Sequence, residues 1–266
     1  NSLLDGTTHI FHYNKIEELE DIVTTNDLAA VIMEVERSFP PTDYFLEKVR
    51  KICSENGIVL IFDECTSGFR ETFGGLHLKY GIDPDIAMFG KALGNGYAIN
   101  AVIGRQEIME NAQSCFISST NWTERIGPVA ALATLSEMEK VKSWDLIKAL
   151  GEYYREKLHQ IITENNLSVS FAGLKALTVS QITSDDIDPS ETQILRTLIT
   201  KRLLKRGYLA NNLFYTSILH DQMAIDLYLI TLGEVLYDIN NDLKAGHGLT
   251  ELLDGPAAHL TFGRLT

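Results

Sequence analysis

Residues 28–63 read LAAVIMEVERSFPPTDYFLEKVRKICSENGIVLIFD, and this stretch decides the fold. Two short apolar runs rich in β-branched residues, 28–35 and 57–63, flank a segment whose apolar residues recur at helical spacing. Those positions are Phe45, Val49 and Ile52. Strands that are apolar on both faces and joined by a crossover helix are typical of a parallel sheet covered by helices. The stretch therefore predicts a strand, helix, strand unit of an α/β fold.

Two further strand candidates follow this unit, at 85–91 and 98–105. The ligand-binding groups of open α/β sheets gather beyond the carboxyl ends of the strands. Asp63, which ends the 57–63 run, and Lys91, which ends the 85–91 run, would both lie at that edge. The sequence therefore predicts a mostly parallel sheet with a functional site at its carboxyl edge.

The pattern changes after residue 126, where two long amphipathic helix patterns follow one another. Strand and helix patterns then alternate from 169 to 241, which is typical of a small α+β domain. We therefore predict two domains. Residues 1–142 would form part of a large domain, and residues 143–266 would form a long linking helix and a small C-terminal domain.

The composition narrows the class of protein. The 266 residues include 23 Lys and Arg against 36 Asp and Glu, and the formal net charge of -13 argues against nucleic acid or an anionic membrane surface as a partner. No apolar run is long enough to predict a spanning helix. The three cysteines form no CxxC pair and the seven histidines no HxxxH or HExxH motif. We therefore predict no disulfide framework, no metal site and a reducing, cytoplasmic setting.

Residues 61–96 read IFDECTSGFRETFGGLHLKYGIDPDIAMFGKALGNG, with an acid at a strand end and a lysine among glycines. Taken singly, an Asp after a strand is often a helix cap, and a loop lysine is usually a solvated charge. In this order and spacing, however, the motifs resemble the class III aminotransferases, which include glutamate-1-semialdehyde aminomutase. The resemblance continues in AAVIMEVERSFP (29–40), GRQEIM (104–109), STNWTERIGPVAALATL (119–135) and, weakly, the closing GPAAHLTFGRL (255–265).

The resemblance implies a fold-type-I transferase that depends on pyridoxal 5'-phosphate, bound in the large domain. Asp63 would lie against the ring nitrogen of the cofactor, because a buried carboxylate keeps that nitrogen protonated. Lys91 would form the resting Schiff base and would then carry a proton between the substrate and the cofactor. Asp63 and Lys91 are thus the predicted catalytic residues.

The resemblance implies cofactor contacts at three more positions. Cys65 and Thr66 stand where the family often has a valine packed against the ring and a glutamine or similar residue near the ring hydroxyl. Thr123, five positions before Pro128, would contact the cofactor phosphate from the partner subunit of a homodimer. A plain buried side chain is the alternative for Cys65, and a helix N-cap is the alternative for Thr123.

The chain also departs from the family pattern. Val35 follows Glu34 where the family usually reads Glu-Pro, which weakens an active-site role for Glu34. The family's N-terminal portion supplies a Ser-Gly phosphate loop and an aromatic ring stacked on the cofactor, and nothing before Asn1 provides them. We therefore expect the chain to be the C-terminal part of a longer protein. Three arginines fit a surface salt bridge as well as a substrate contact: Arg37, Arg70 and Arg125.

The resemblance implies an aminotransferase or aminomutase that moves an amino group between an amine or amino acid and an aldehyde or ketone. The partners implied are a small-molecule amine donor, a carbonyl acceptor and a second copy of the chain. Two alternatives remain. The protein could be a non-catalytic homologue or fragment that acts as a dimerisation or scaffold module, or it could catalyse another reaction of the same cofactor, such as decarboxylation or racemisation.

Overall fold

The computed structural model describes residues 6–118, 120, 123–183 and 187–259. The chain divides into two compact units, the first ending at Asp145 and the second beginning at Leu146. The assignment of 1–142 and 143–266 to functional domains stays a prediction. Parts of two motifs of the resemblance lie outside the described residues: Ser119, Asn121, Trp122 and the chain after His259.

The first unit is built on a four-stranded sheet in the order β1-β2-β3-β4. The first three strands are parallel and β4 is antiparallel to β3, which confirms the mostly parallel α/β sheet. The strands are β1 (Ala30–Glu34), β2 (Val59–Asp63), β3 (Ile86–Phe89) and β4 (Ala101–Gly104). The helices are α1 (Ile16–Thr25), α2 (Phe45–Glu55), α3 (His77–Tyr80), α4 (Gln106–Met109) and α5 (Ile126–Val141).

Apolar burial explains the predicted strand, helix, strand unit, which is confirmed as β1-α2-β2. The sheet buries Val31, Leu60 and Phe62, the last two with no exposed surface. Helix α2 buries the apolar side chains that share one of its faces: Phe45, Leu46, Val49 and Cys53. Burial of a side chain of this size contributes about 1.5–3 kcal/mol, so this packing fixes α2 on the sheet.

The strand register sets the position of the functional residues. Glu34 pairs with Asp63, and Asp63 pairs with Met88, so all three lie at the carboxyl edge of the sheet. Strand β3 ends at Phe89, and a short 3-10 turn begins at Lys91. The two predicted catalytic residues therefore follow neighbouring parallel strands at one edge.

A buried carboxylate holds the opposite end of β3. Asp85 accepts hydrogen bonds from Arg50 Nη1 at 2.8 Å, from Arg105 Nη1 at 3.1 Å and from the backbone nitrogen of Leu60 at 2.8 Å. Burial raises the pKa of Asp85, but the hydrogen bonds from Leu60 and the two guanidinium groups outweigh it and lower the pKa below its usual value. Asp85 thus ties α2, β2 and the end of β4 together.

We expect Asp85→Asn to lower the free energy of unfolding by about 2 kcal/mol at pH 7, because it leaves two arginines without their carboxylate. The folded-state pKa of Asp85 is depressed, so its contribution is complete above the ordinary value of 3.8 and is lost as the pH falls through the folded-state value. Urea unfolding of wild type and variant should therefore give a difference that shrinks between pH 7 and pH 3.5. An equal difference at both pH values would contradict this account.

The second unit has a three-stranded antiparallel sheet in the order β5-β6-β7, with helices packed against it. Its strands are β5 (Ser168–Ala172), β6 (Leu177–Thr183) and β7 (Leu213–Tyr215). Its helices are α6 (Ser143–Glu164), α7 (Thr192–Lys205), α8 (Gln222–Lys244) and α9 (Leu249–Leu253). The core is formed by fully buried side chains such as Leu158, Leu195 and Leu236. The α+β arrangement expected for this part of the chain is confirmed.

None of the helices in the described part of the chain combines the length and the apolar character needed to cross a membrane.

Candidate active site

Asp63 ends β2 as a partly buried carboxylate. Its Oδ1 accepts a hydrogen bond of 2.9 Å from the backbone nitrogen of Cys65. Among the described residues, no lysine, arginine or histidine forms an ion pair with it. Because withdrawing a carboxylate from water without a cationic partner is costly, Asp63 is suited to receive a positively charged group.

Lys91 follows β3 in a left-handed backbone conformation with φ 42°. Its Nζ donates a hydrogen bond of 2.6 Å to Thr66 Oγ1, and it forms no ion pair with any residue in the described ranges. Gly90, the preceding residue, lies close to the Asn100 side chain: a Cβ atom on it would lie 2.6 Å from Asn100 Oδ1 and would displace that side chain. The amine of Lys91 is thus held on the loop that follows β2, the strand of Asp63.

Thr66 is a buried hydroxyl that receives two cationic donors. Besides Lys91 Nζ, Arg37 Nη1 donates to Thr66 Oγ1 at 2.9 Å, and the same nitrogen donates to Glu34 Oε1 at 2.8 Å. A chain of polar contacts therefore runs from Glu34 through Arg37 and Thr66 to the lysine amine. It crosses the edge of the sheet from β1 to β3.

The contact of Arg37 with Thr66 is the part of this chain that sequence reasoning missed. A salt bridge was one of the two expected roles of Arg37, and it does pair with Glu34, three positions before it. The contact with Thr66 spans 29 positions and depends on the sheet register. The only sequence signal for this contact was the position of Arg37 just after β1, the strand that ends at Glu34.

Cys65 lies close to Asp63 and to Gly90, the residue before Lys91. A Cβ atom on Gly90 would approach Cys65 Sγ to 3.4 Å, so thiol and loop are in close contact. Burial, together with the carboxylate of Asp63, raises the pKa of the Cys65 thiol. The thiol is therefore protonated at neutral pH and behaves as a small apolar side chain rather than as a nucleophile.

Glu64 follows Asp63 but has a different environment. Its side chain is fully buried and accepts hydrogen bonds from Ser67 Oγ at 2.5 Å, from the backbone nitrogen of His77 at 2.9 Å and from His77 Nδ1 at 2.9 Å. Burial raises the pKa of Glu64, yet these hydrogen bonds bring it below its usual value. Glu64 is thus a satisfied structural carboxylate, whereas Asp63 accepts only from the backbone nitrogen and the thiol of Cys65 and has no cationic partner in the described ranges.

Thr123 lies exposed in the turn before α5. The N-cap alternative is wrong, because the first backbone N–H groups of α5 are satisfied by Glu124: its Oε1 accepts from Ile126 at 2.5 Å and its Oε2 from Gly127 at 3.1 Å. In the described ranges no hydrogen bond joins Thr123 to Asp63, Thr66 or Lys91. Its contact with a cofactor phosphate in a partner subunit stays a prediction.

The described residues contain no group of three or more His, Cys, Asp and Glu side chains that could hold a metal ion. What the edge of the sheet offers instead is a carboxylate without a cation, an amine without an anion and a hydroxyl between two cations. The carboxylate can pair with a positive centre of a small organic molecule, and the amine can react with a carbonyl group of the same molecule.

A family model described as Aminotransferase class-III matches residues 5–209. The 3-aminobutyryl-CoA aminotransferase of Cloacimonas acidaminovorans is 36% identical over 173 residues, which are 61% of this chain and 42% of that protein. The glutamate-1-semialdehyde 2,1-aminomutase of Ignicoccus hospitalis is 29% identical over 248 residues, which are 86% of this chain and 58% of that protein. The chain thus spans about half the length of these relatives.

Solved structures agree with these matches in fold. The FumI protein of Sphingopyxis sp. MTA144, solved in its PLP internal aldimine form, superposes with a TM-score of 0.80 at 22% identity. An omega-transaminase from Sphaerobacter thermophilus superposes with a TM-score of 0.78, also at 22% identity. Each alignment covers 89% of this chain and 58% of the other.

Proposed function

The chain belongs to the class III aminotransferases, and from that premise we propose that the full-length protein is a pyridoxal 5'-phosphate-dependent aminotransferase or aminomutase. It moves an amino group between a primary amine or amino acid and an aldehyde or ketone. The observation that carries the proposal is the lysine amine, held 2.6 Å from Thr66 Oγ1 at the carboxyl edge that also bears the unpaired Asp63.

The residues at this edge fit the cofactor. Asp63 offers a carboxylate without a described cationic partner for a protonated ring nitrogen, and Lys91 has an amine for an aldehyde carbon. The Cys65 thiol, kept protonated, can pack against a ring without competing for the carbonyl. Pyridoxal phosphate, when bound, supplies the electron sink that makes the carbon next to the amino group acidic.

The protein's own residues then have separate roles. Lys91 Nζ accepts the proton from the substrate carbon that carries the amino group and returns it to the carbon that receives it. The negative charge of Asp63 stabilises positive charge on the ring nitrogen. Thr66 and Arg37 hold Nζ within reach while the lysine is not covalently engaged. Such positioning is worth several kcal/mol in well-oriented sites.

We expect Arg37→Met to lower kcat by about tenfold, the equivalent of one lost charge-assisted hydrogen bond, with KM for the amine donor nearly unchanged. Removing the guanidinium leaves Thr66 free to rotate and so loosens the lysine amine. Steady-state kinetics of the full-length protein would measure kcat and KM separately, and Arg37→Lys should recover part of the lost kcat. The matched control is Lys48→Met, which removes an exposed cation from α2. An unchanged kcat in Arg37→Met would rule out the positioning role.

The scaffold alternative is less well supported. A module that only dimerises has no need of a partly buried carboxylate without a described cationic partner, since withdrawing that charge from water destabilises the fold. Decarboxylation, racemisation, intramolecular transfer and ordinary transamination all use the same proton carrier and the same carboxylate. The products therefore decide among them.

The test is product analysis with full-length protein and added pyridoxal 5'-phosphate. L-glutamate and L-alanine serve as donors with 2-oxoglutarate and pyruvate as acceptors, and glutamate-1-semialdehyde is supplied alone as the aminomutase substrate. Amino transfer between two compounds supports the aminotransferase, and conversion of a single compound supports the aminomutase. Release of carbon dioxide or loss of optical purity would point to the other reactions. A protein that binds the cofactor and converts none of these compounds would favour the scaffold.

We also infer a homodimer with shared active sites, working in the cytoplasm. Helix α5 exposes Ile126, Val129 and Leu132 by 64%, 63% and 68%, three residues apart on one face. An apolar face of this kind supports burial against another chain. Thr123, three residues before α5, would then lie at the same interface.

Light scattering of the full-length protein measures whether it is a dimer. The Thr123→Ala variant should bind pyridoxal 5'-phosphate more weakly than the wild-type protein does.

A further inference from the structure

The second unit contains a cavity of about 490 Å³ that takes no part in the site described above. Its walls come from β6, α6, α7 and α8, and all of its lining residues follow Leu146 in the sequence. Apolar side chains such as Leu158, Ile199 and Leu232 form much of its surface. A volume of this size, with both apolar walls and polar side chains, is typical of small-molecule sites.

Arg196 is the one charged residue among the described lining residues. It is half-buried on α7, and its guanidinium has no hydrogen-bond or ion-pair partner in the described ranges. The two other arginines that α7 and its C-cap carry do have partners: Arg202 pairs with Asp242 at 2.6 Å, and Arg206 pairs with Asp238 at 2.7 Å. In a chain with a net charge of -13, an arginine whose described cavity neighbours include no carboxylate is open to an external anion.

The other polar groups of the cavity include two that can donate to a ligand. Gln193 also lines the cavity, one turn before Arg196, but its Nε2 already donates to the backbone oxygen of Ala258 at 2.8 Å. Asn212 adds an amide, and Tyr228 adds a hydroxyl. Burial raises the pKa of Tyr228 to about 12, so at neutral pH its hydroxyl is a neutral donor. No Asp or Glu is among the described lining residues.

We propose that this cavity binds a small organic carboxylate with an apolar body. The carboxylate pairs with the Arg196 guanidinium near the start of α7, and the apolar body fills the space between β6 and α8. Binding here does not depend on the proposed amino transfer, because no residue of the cavity belongs to the edge that carries Asp63 and Lys91.

Calorimetric titration of the full-length protein tests the proposal with acetate, benzoate and 3-phenylpropionate as probes. We expect one site per chain, with affinity rising along this series as the apolar body grows. The neutral 3-phenylpropionamide should bind at least about tenfold more weakly, since it cannot form the charged pair. Binding that is equal for the amide, or that occurs with none of the three acids, would overturn the proposal.

Variants locate the site. Arg196→Gln should weaken binding of the best probe at least about tenfold, whereas Arg196→Lys keeps most of the affinity. Lys205→Gln removes an exposed cation from the same helix outside the cavity and should bind as wild type does. Lys91→Ala should also bind as wild type does, which separates this cavity from the catalytic edge. Unaltered binding by Arg196→Gln would place the probe elsewhere.

If Arg196→Gln fails to fold, chemical modification of the wild-type protein with and without the probe tests the same assignment. Phenylglyoxal modifies accessible arginines, and peptide mapping by mass spectrometry measures the modification of each one in the wild-type protein. Arg196 should react in the free protein and be protected by the best probe, while the paired Arg202 is unaffected by it. Modification of Arg196 that is the same with and without the probe would overturn the assignment.

Discussion

Lys91→Ala should lower kcat for amino transfer by about 10³-fold or more in the full-length protein, because it removes the group that carries the proton. No described neighbour can replace it: the only hydrogen-bond partner of its Nζ in the described ranges is the hydroxyl of Thr66. A threonine hydroxyl is too weak a base for this transfer. The folded protein should persist, since the side chain is exposed and supports no packing.

Two measurements check this result. Steady-state kinetics gives the loss of kcat, and borohydride reduction followed by peptide mapping identifies the lysine that becomes linked to the cofactor. Lys51→Ala, on an exposed position of α2, is the matched control and should keep both activity and labelling of Lys91. Cofactor linked to several surface lysines, or activity that survives in Lys91→Ala, would remove Lys91 from the mechanism.

The fold was predictable where local pattern and burial agree. Residues 28–63 contain two apolar strands and an amphipathic helix, and the pattern that buries Leu60 and Phe45 also defines β1, α2 and β2. The direction of β4 was not predictable, since an apolar run has the same period whether it pairs parallel or antiparallel. The left-handed backbone of Lys91 also has no sequence signal, because lysine has no preference for that conformation.

The sequence predicted where the candidate site residues lie on the sheet, but not the hydrogen bonds between their side chains. Topology alone places Asp63 and Lys91 at one edge, because the carboxyl ends of parallel strands lie together. The contact of Arg37 with Thr66 joins residues far apart in sequence and exists only in the folded sheet. A similar limit explains the wrong N-cap alternative for Thr123. The motif marks the helix start to within a few residues, and only the folded chain shows that Glu124 accepts from the first N–H groups of the helix.

Asp63→Asn is expected to lower kcat by about 10²-fold or more, the cost typical of losing one preorganised electrostatic contact to a reacting group. The substitution keeps the shape of the side chain and its acceptor oxygen for the backbone nitrogen of Cys65, but it removes the negative charge and replaces the second carboxylate oxygen by an NH2 donor. Without that charge the ring nitrogen of the cofactor is less readily protonated, and affinity for pyridoxal 5'-phosphate should fall with kcat. Kinetics and a spectroscopic titration of the cofactor measure the two effects.

Glu64→Gln is the matched control, since it neutralises the adjacent carboxylate in the same loop. It should lower the free energy of unfolding by about 2 kcal/mol, because Ser67 and His77 lose a charged acceptor in a fully buried network. Its kcat and cofactor affinity should stay near wild type. If Asp63→Asn loses stability and keeps its activity while Glu64→Gln loses activity, the roles of the two acids are reversed. The outcome therefore tests whether the carboxylate left unpaired by the fold, rather than the satisfied one beside it, is the one that the chemistry uses.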